Sequence, residues 1–389
     1  MGEWLPKDNV CIVGVGETEY TRHGQIKRSE FQLACEAILN AVDDAGLKIQ
    51  DIDGICSFSN DRNDPTLLAT ALGIPQLRFS NMVWGGGGGG GCGAVGNAAM
   101  AVYTGAAKYV VAFRALAQGQ FVRFGQAAAA ADFGANGFNM PYGVIAPVQI
   151  FAMHARRHMH EYGTTSRQFG AVSVACYKHA QRNPRAVMYG RPITIEDHQN
   201  SRMIADPLRL YDCCLESDGA AAVVVTTADR AKDLKQRPVY LMAAAQGTGP
   251  GQGDFASVNR PDYPSSNFKT IADDLWKMAG ITPNDIDVAQ IYETFTCMVL
   301  MTIEDHGFCK KGEGGAFVEN GRIEWPDGEL PINTSGGNLA EAYIHGFELI
   351  NEAVRQMRGT STCQVKDAET CLVASGPASG TVTNLIVRR

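Results

Sequence analysis

Eleven cysteines and eight histidines are the side chains of this 389-residue sequence best able to hold a metal or act as nucleophiles. The cysteines stand singly apart from Cys213-Cys214, and no Cys-x-x-Cys pair occurs to read as a zinc site. Most lie in apolar runs, such as Cys11 in VCIVGV and Cys371 in CLVAS, and so read as small core hydrophobes of a reducing compartment. His154 and His158 are one helical turn apart with His160 close by, a spacing that could place a metal on one helix face. No acidic third ligand follows at a suitable distance, and Arg156 and Arg157 lie between them. The expectation is therefore a helix turned to solvent or to a ligand's phosphates. Gly14-Val15-Gly16 follows an apolar run as a dinucleotide fingerprint would, but Glu19 occupies the third glycine position and would oppose a pyrophosphate. The run Gly85–Gly91 is flanked by strand and helix signals, which suits a tight turn with backbone close to a ligand.

Positioning such groups falls to two halves built on one plan. Ala45-Gly46, four residues, then Asp51-Ile52-Asp53 recurs as Ala279-Gly280, four residues, then Asp285-Ile286-Asp287. Each copy follows a run of helical period, FQLACEAILNAVDDAG or FKTIADDLWKMAG, and precedes a strand-like run, GICSFS or VAQIYETF. The glycine ends the helix in a left-handed conformation and a short polar turn feeds the strand. Both halves continue with a Gly-rich segment ahead of a helix: Gly85–Gly91 before AVGNAAMAVYTG, and TSGGNLAEAYIHG before FELINEAVRQMRG. Each helix leads to an apolar strand, KYVVAF or TCLVAS. Duplication of a βαβ plan implies an α/β layered core. The expected division is 1–240 and 241–389, with a helical and irregular insertion at roughly 118–200 lying over the active face.

A net charge of −7 without a Lys/Arg run argues against nucleic acid as a partner. No stretch approaches the ~20 apolar residues of a membrane span. The opening MGEWLPKDN lacks a basic-then-apolar leader pattern, and Pro6 stands where a myristoylation signal needs Ser or Thr, so the cytoplasm is the expected location.

Four strings together resemble the thiolase superfamily, in particular its sterol-carrier-protein-type branch. They are ETEYTRHG, DPLRLYDCCLESDGAAAVVV, IYETFTCMVLMTIEDHGFCKKGEGGAFV and NTSGGNLAEAYIHG, and the resemblance spans essentially the whole chain. It implies two thiolase-type halves in a five-layer αβαβα core and a homodimer as the basic unit. The departures from the thiolase pattern are informative. The position of the thiolase nucleophilic cysteine falls at Gly88; Cys92 follows four residues later, about one turn into the expected helix. One turn moves a sulfur by roughly 5 Å, too far for an attack that needs contact at about 3 Å. Where thiolases carry Asn-Glu-x-Phe this chain has Tyr292-Glu293-Thr294-Phe295, and where they carry Gly-His-Pro-x-Gly it has Ala342-Tyr343-Ile344-His345-Gly346. The last loop reads Ser375-Gly376-Pro377-Ala378-Ser379-Gly380 and lacks the acid/base cysteine.

This pattern is similar to the acyl-CoA retro-aldolases of steroid side-chain degradation, thiolase-fold enzymes with catalytic tyrosines at those two positions. The resemblance implies carbon–carbon cleavage of a β-hydroxyacyl-CoA without a cofactor, CoA being part of the substrate. It also implies a small partner carrying an OB-fold and a zinc ribbon, in an α2β2 complex in which the partner alone holds zinc. A retro-aldol step needs a base for the β-hydroxyl proton and donors for the enolate oxygen, and a phenol can serve as either. Tyr343 is assigned as base and Tyr292 as enolate donor. His345 and backbone amides near Gly88, Gly376 and Gly380 are assigned to substrate binding. An unperturbed tyrosine near pKa ~10 needs activation to act as a base at neutral pH. Glu293 and Glu341 are alternative bases. A thiolase using Cys92 and a non-catalytic acyl-CoA or lipid carrier are the competing readings.

Overall fold

The computed structural model describes residues 4–59, 61–84, 87–121, 136–249, 262–378 and 380–389. Its strands in chain order are β1 Val10–Glu17, β2 Thr21–Arg22, β3 Gly54–Phe58, β4 Phe79–Val83, β5 Val110–Ala117, β6 Met203–Ala205, β7 Leu208–Arg209, β8 Ser217–Thr227, β9 Val239–Gly247, β10 Val288–Ile291, β11 Thr370–Ser375 and β12 Val382–Arg388. They run β10-β11-β12-β9-β1-β8-β5-β3-β4, with β2 on β8, and β6 and β7 form a separate ribbon. The two halves of the sheet meet where β1 pairs with β9 over Cys11–Tyr240 and Ile12–Val239. The expected division at 240/241 thus falls at the first residues of β9.

Helices Gly91–Tyr103 and Phe347–Arg358 pack against strands of both halves. Helix Glu30–Ala45 covers the outer face of β1, β5 and β8, and helix Lys269–Ala279 covers β9 and β12. Helix, half-sheet, paired helices, half-sheet, helix gives the five layers expected from the sequence. The central helices are covered on both sides: of helix Phe347–Arg358, ten residues are buried, Glu348 and Glu352 among them.

The repeated motif does the same work twice. Gly46 and Gly280 cap their helices at φ 73° and 70°, and the turns Ile49–Asp51 and Pro283–Asp285 lead to β3 and β10. Asp53 Oδ1 then accepts the N–H groups of Lys108 and Tyr109 ahead of β5, at 2.8 and 3.0 Å. Asp287 Oδ2 accepts those of Glu369 and Thr370 at the start of β11, at 2.8 and 2.9 Å. In each half the last Asp pins the neighbouring parallel strand in register. The glycines that mimic a dinucleotide loop serve packing: a Cβ on Gly14 or Gly16 would lie 2.1 or 2.2 Å from a backbone oxygen of helix Glu30–Ala45.

The insertion is helical over Pro147–Tyr162, Ser166–Ala180 and Ile195–Asn200, while 122–135 falls outside the described residues. The Val187 and Met188 N–H groups donate to the carbonyls of Glu341 and Ala340 at 2.8 and 3.1 Å, so the insertion runs beside Tyr343. The exposed face expected for His154 and His158 is not found. Both are buried, at 1% and 0% exposure. His158 bridges the Thr164 hydroxyl (2.7 Å) and the Glu304 carboxylate (3.0 Å), and the His154 ring packs on Tyr263. Their i, i+4 spacing places them on the inward stripe of the helix. Arg156 and Arg157 face outward to Asp206 and Glu161. All eleven cysteines are free, seven of them buried, as their apolar surroundings suggested.

Candidate active site

Strand β10 stops at Ile291 because the next residue leaves the sheet to reach the centre of the molecule. The Tyr292 N–H still donates to the Ala374 carbonyl of β11 (2.9 Å), which fixes the start of the side chain. Tyr343 lies in the segment between the short helix Gly337–Ala340 and helix Phe347–Arg358, with its N–H donating to the Ser217 hydroxyl at the start of β8 (3.2 Å). The two phenols meet: the Tyr292 hydroxyl donates to the Tyr343 hydroxyl at 2.9 Å, with the rings 6.1 Å apart and tilted by 57°.

The glycine-rich frame makes room for this pair. A Cβ on Gly88 would lie 2.2 Å from Cε2 of Tyr292, and one on Gly346 would lie 2.2 Å from its Cδ2. Such distances are far inside van der Waals contact, so the Tyr292 ring lies against two residues that can only be glycine. Gly376, at φ 69°, is pressed on the same turn: its Cβ would lie 2.0 Å from the Gly89 Cα. Gly88 and Gly376 are therefore neighbours across the halves, whereas Gly380 lies half-buried two residues ahead of β12. His345 is buried at φ 52°, and its ring meets the Tyr343 ring edge-on, 5.2 Å away. Burial, reinforced by the Arg114 and Arg62 charges, holds its imidazole well below the usual range and hence neutral.

Both phenols are almost fully covered, at 3% and 6% exposure, and burial pushes each well above a free tyrosine. Their surroundings nevertheless differ. The bond from Tyr292 and the Arg114 charge pull Tyr343 back down, whereas a charge on Tyr343 pushes Tyr292 further up. A charge on the Cys214 thiol would push both phenols further up. Sequence reading passed over Cys214 and Gly346; Cys214 sits in the one adjacent cysteine pair, and Gly346 gives its role away only once the Tyr292 ring is placed.

Cys92 is a different matter. The α-helix begins at Gly91, after a 3₁₀ turn over Gly87–Gly90, so Cys92 lies in its first turn rather than a turn further in. Its side chain points into the core at 0% exposure, with the sulfur 3.1 Å from the Ser375 hydroxyl and 3.5 Å from the Val373 carbonyl. Burial pushes the thiol up to about 12. A sealed, protonated thiol is no nucleophile. Cys92→Ala is accordingly expected to leave turnover unchanged, and iodoacetamide to leave Cys92 unlabelled in the folded chain; peptide mass mapping would show the reverse if the sulfur reacted.

Glu293 and Glu341 are both at 0% exposure. Glu293 Oε1 accepts the Leu339 N–H (3.3 Å), and Glu341 Oε1 accepts from the Asn183 amide (2.8 Å). These bonds tie the 337–341 segment to β10 and to the insertion. Burial raises Glu293 from 4.5 to about 8 and Glu341 to about 7. Each keeps its proton in the folded chain where the unfolded chain has lost it. Stability from this source is complete below about pH 4.5 and drains away as pH rises through the folded values. Glu293→Gln should therefore flatten the fall of Tm between about pH 5 and pH 8. An unchanged slope in thermal melts would contradict this.

Residues 251–387 match the family model described as thiolase C-terminal domain-like. The 17-hydroxy-3-oxo-4-pregnene-20-carboxyl-CoA lyase of Mycobacterium tuberculosis is 49% identical over 96% of this chain and 98% of its own length. The chain belongs to the thiolase superfamily. Within that superfamily it groups with steroid side-chain-cleaving aldolases: the enzyme of that name from Thermomonospora curvata is 45% identical over 96% of this chain and 97% of its own. A solved aldolase, Ltp2-ChsH2(DUF35), superposes with a TM-score of 0.93 at 44% identity, covering 99% of both chains. The thiolase halves and their shared core are thus those of the superfamily.

Proposed function

We propose that this chain is a carbon–carbon lyase that cleaves a steroid side-chain β-hydroxyacyl-CoA by a retro-aldol reaction, using Tyr343 as base and Tyr292 as enolate donor. The observation that carries the reading is the buried pair of phenols, 2.9 Å apart, set against Gly88 and Gly346 in the centre of the fold. Tyr343 as phenolate takes the proton of the β-hydroxyl. The oxygen's electron pair forms the ketone, the Cα–Cβ bond breaks, and its electrons enter the thioester as an enolate. The Tyr292 hydroxyl donates to the enolate oxygen, and return of the proton to Cα releases the shorter acyl-CoA. Atoms balance without a covalent acyl-enzyme, so the missing cysteine costs nothing. In the Mycobacterium tuberculosis relative's substrate name the hydroxyl sits on the ring carbon carrying the acyl-CoA side chain, which fits this cleavage.

The Ltp2-ChsH2(DUF35) neighbour supports a partner protein for this chain as well. The reading here is an α2β2 complex of a homodimeric core with two small OB-fold, zinc-ribbon partners, working in the cytoplasm. No helix among the described residues is long and apolar enough to cross a membrane.

The test is mass spectrometry of products from a steroid β-hydroxyacyl-CoA, with the chain purified alone and with its co-expressed partner. Equal amounts of steroid ketone and shortened acyl-CoA are expected from the complex. Binding without turnover, or a product that appears only on adding free CoA, would sink the reading in favour of a carrier or a thiolase.

A further inference from the structure

Strand β5 reads VVAFRALA, and all eight residues are buried. Arg114, at its centre, is 1% exposed and is, among the described residues, the largest fully buried side chain. A guanidinium in so dry a place is retained only where partners and a task justify it. One nitrogen donates to the Phe58 carbonyl and to Asp61 Oδ2, both at 3.1 Å, and Asp61 is itself sealed from water. A second pair stands nearer the surface: buried Glu30 accepts two bonds from the exposed Arg62, at 2.6 and 3.1 Å, and a third from the Ala117 N–H at 3.0 Å. On the other side the guanidinium lies 5.3 Å from the centre of the Phe58 ring. Phe58 faces the His345 ring at 6.4 Å, which in turn meets Tyr343 at 5.2 Å. Arg114, Phe58, His345 and Tyr343 thus form one packed file running from a charge cluster to the phenol pair.

We propose that Arg114 is a positioning residue for the cleavage: its buried positive charge selects Tyr343, rather than Tyr292, as the phenol that carries negative charge. The inference rests on the reading of the two tyrosines given above and adds the group that breaks their symmetry. The groups bearing on Tyr343 come from several elements. Tyr292, after β10, donates a hydrogen bond; Cys214, ahead of β8, and Glu348, from helix Phe347–Arg358, disfavour a charge there. Burial keeps the Glu348 carboxyl well above its usual range, and His345 is held neutral, so neither adds a full charge. Arg114 is the cation that acts on Tyr343, and Tyr343 acts on Arg114 in return. With the Phe58 ring and a neutral imidazole in place of water between them, the field is poorly screened.

The experiment is the pH profile of kcat/KM for the partner-bound enzyme, with phenolate formation followed in parallel by ultraviolet difference spectra. Arg114→Gln should move the rising limb up by about one pH unit, with kcat falling about tenfold at neutral pH and KM little changed. Arg114→Lys should restore most of the limb's position. Asp61→Asn removes the opposing negative charge and should move the limb the other way, to lower pH. A role in packing alone would give losses without these opposite shifts, and limbs that stay put or move together would overturn the proposal. If Arg114→Gln does not fold, the direction of the Asp61→Asn shift decides. Tyr343→Phe separates the two levels: full activity there removes the parent reading, whereas its inactivity with an unmoved Arg114→Gln limb removes only this inference.

Discussion

Tyr343→Phe should lower the rate of steroid side-chain cleavage by about 10²–10⁴-fold, the usual worth of a positioned general base. Tyr292→Phe should lower it by about 10²–10³-fold, the worth of one donor at a developing oxyanion. The double variant should be no worse than the poorer single one, because two groups serving one transition state do not contribute independently. Stability should follow a different pattern. Tyr343→Phe breaks the 2.9 Å phenol–phenol bond and leaves the buried Tyr292 hydroxyl short of that partner, at a cost of about 1–3 kcal/mol. The double change removes both polar atoms and leaves apolar rings of the same shape, so much of that cost should be recovered. A catalytically dead double variant that melts above one of the singles would separate chemistry from folding. Product analysis and thermal melts on the three variants check this, and full turnover by the double variant would end the mechanism.

The parts of the molecule legible in the sequence are those governed by local rules. The Ala-Gly and Asp-Ile-Asp repeat gives away both halves because each residue has a nearby job: the glycine ends the helix in the left-handed region, and the last Asp pins the neighbouring strand. The two tyrosines stand out by resemblance, as departures from a known pattern within a preserved glycine frame. What the sequence hides depends on residues far apart in the chain. His158 takes its place from Glu304, which no helical spacing could announce. Two arginines between two histidines suggest an exposed face, yet one helix can bury the histidines and expose the arginines at once. Arg114 carries a signal of its own, a single charge amid seven apolar residues of β5, but its partner Asp61 and its file of rings toward Tyr343 exist only in the fold. Cys92 shows the converse. Its spacing from Gly88 sets it a turn too far in for a nucleophile, whereas the fold seats it in the helix's first turn and withholds it by burial against Ser375 and Val373.

Gly88→Cys would restore the thiolase nucleophile in name, and it should inactivate the enzyme instead. Its Cβ would fall 2.2 Å from Cε2, 2.4 Å from Cζ and 2.7 Å from the hydroxyl oxygen of Tyr292. The ring has little room to retreat, since Gly346 also touches it closely enough to exclude a Cβ. Gly88→Ala carries the same clash with no reactive atom, and both changes should destabilise the chain by about 1–3 kcal/mol, as overpacking of a filled core does. Cleavage should fall at least as far as in Tyr292→Phe, because the displaced phenol takes its hydrogen bond to Tyr343 with it. In a Tyr292→Asn background the ring is gone, and adding Gly88→Cys should cost little. The double-mutant cycle should therefore show a coupling of about 1–3 kcal/mol between two positions that are remote in sequence. Denaturant titrations of the four proteins measure it. Additive effects, or a Gly88→Ala variant that melts and turns over like the parent, would mean that ring and side chain can share the space. If they cannot, one site offers either a sulfur or a phenol, and choosing the phenol commits the thiolase frame to lyase chemistry.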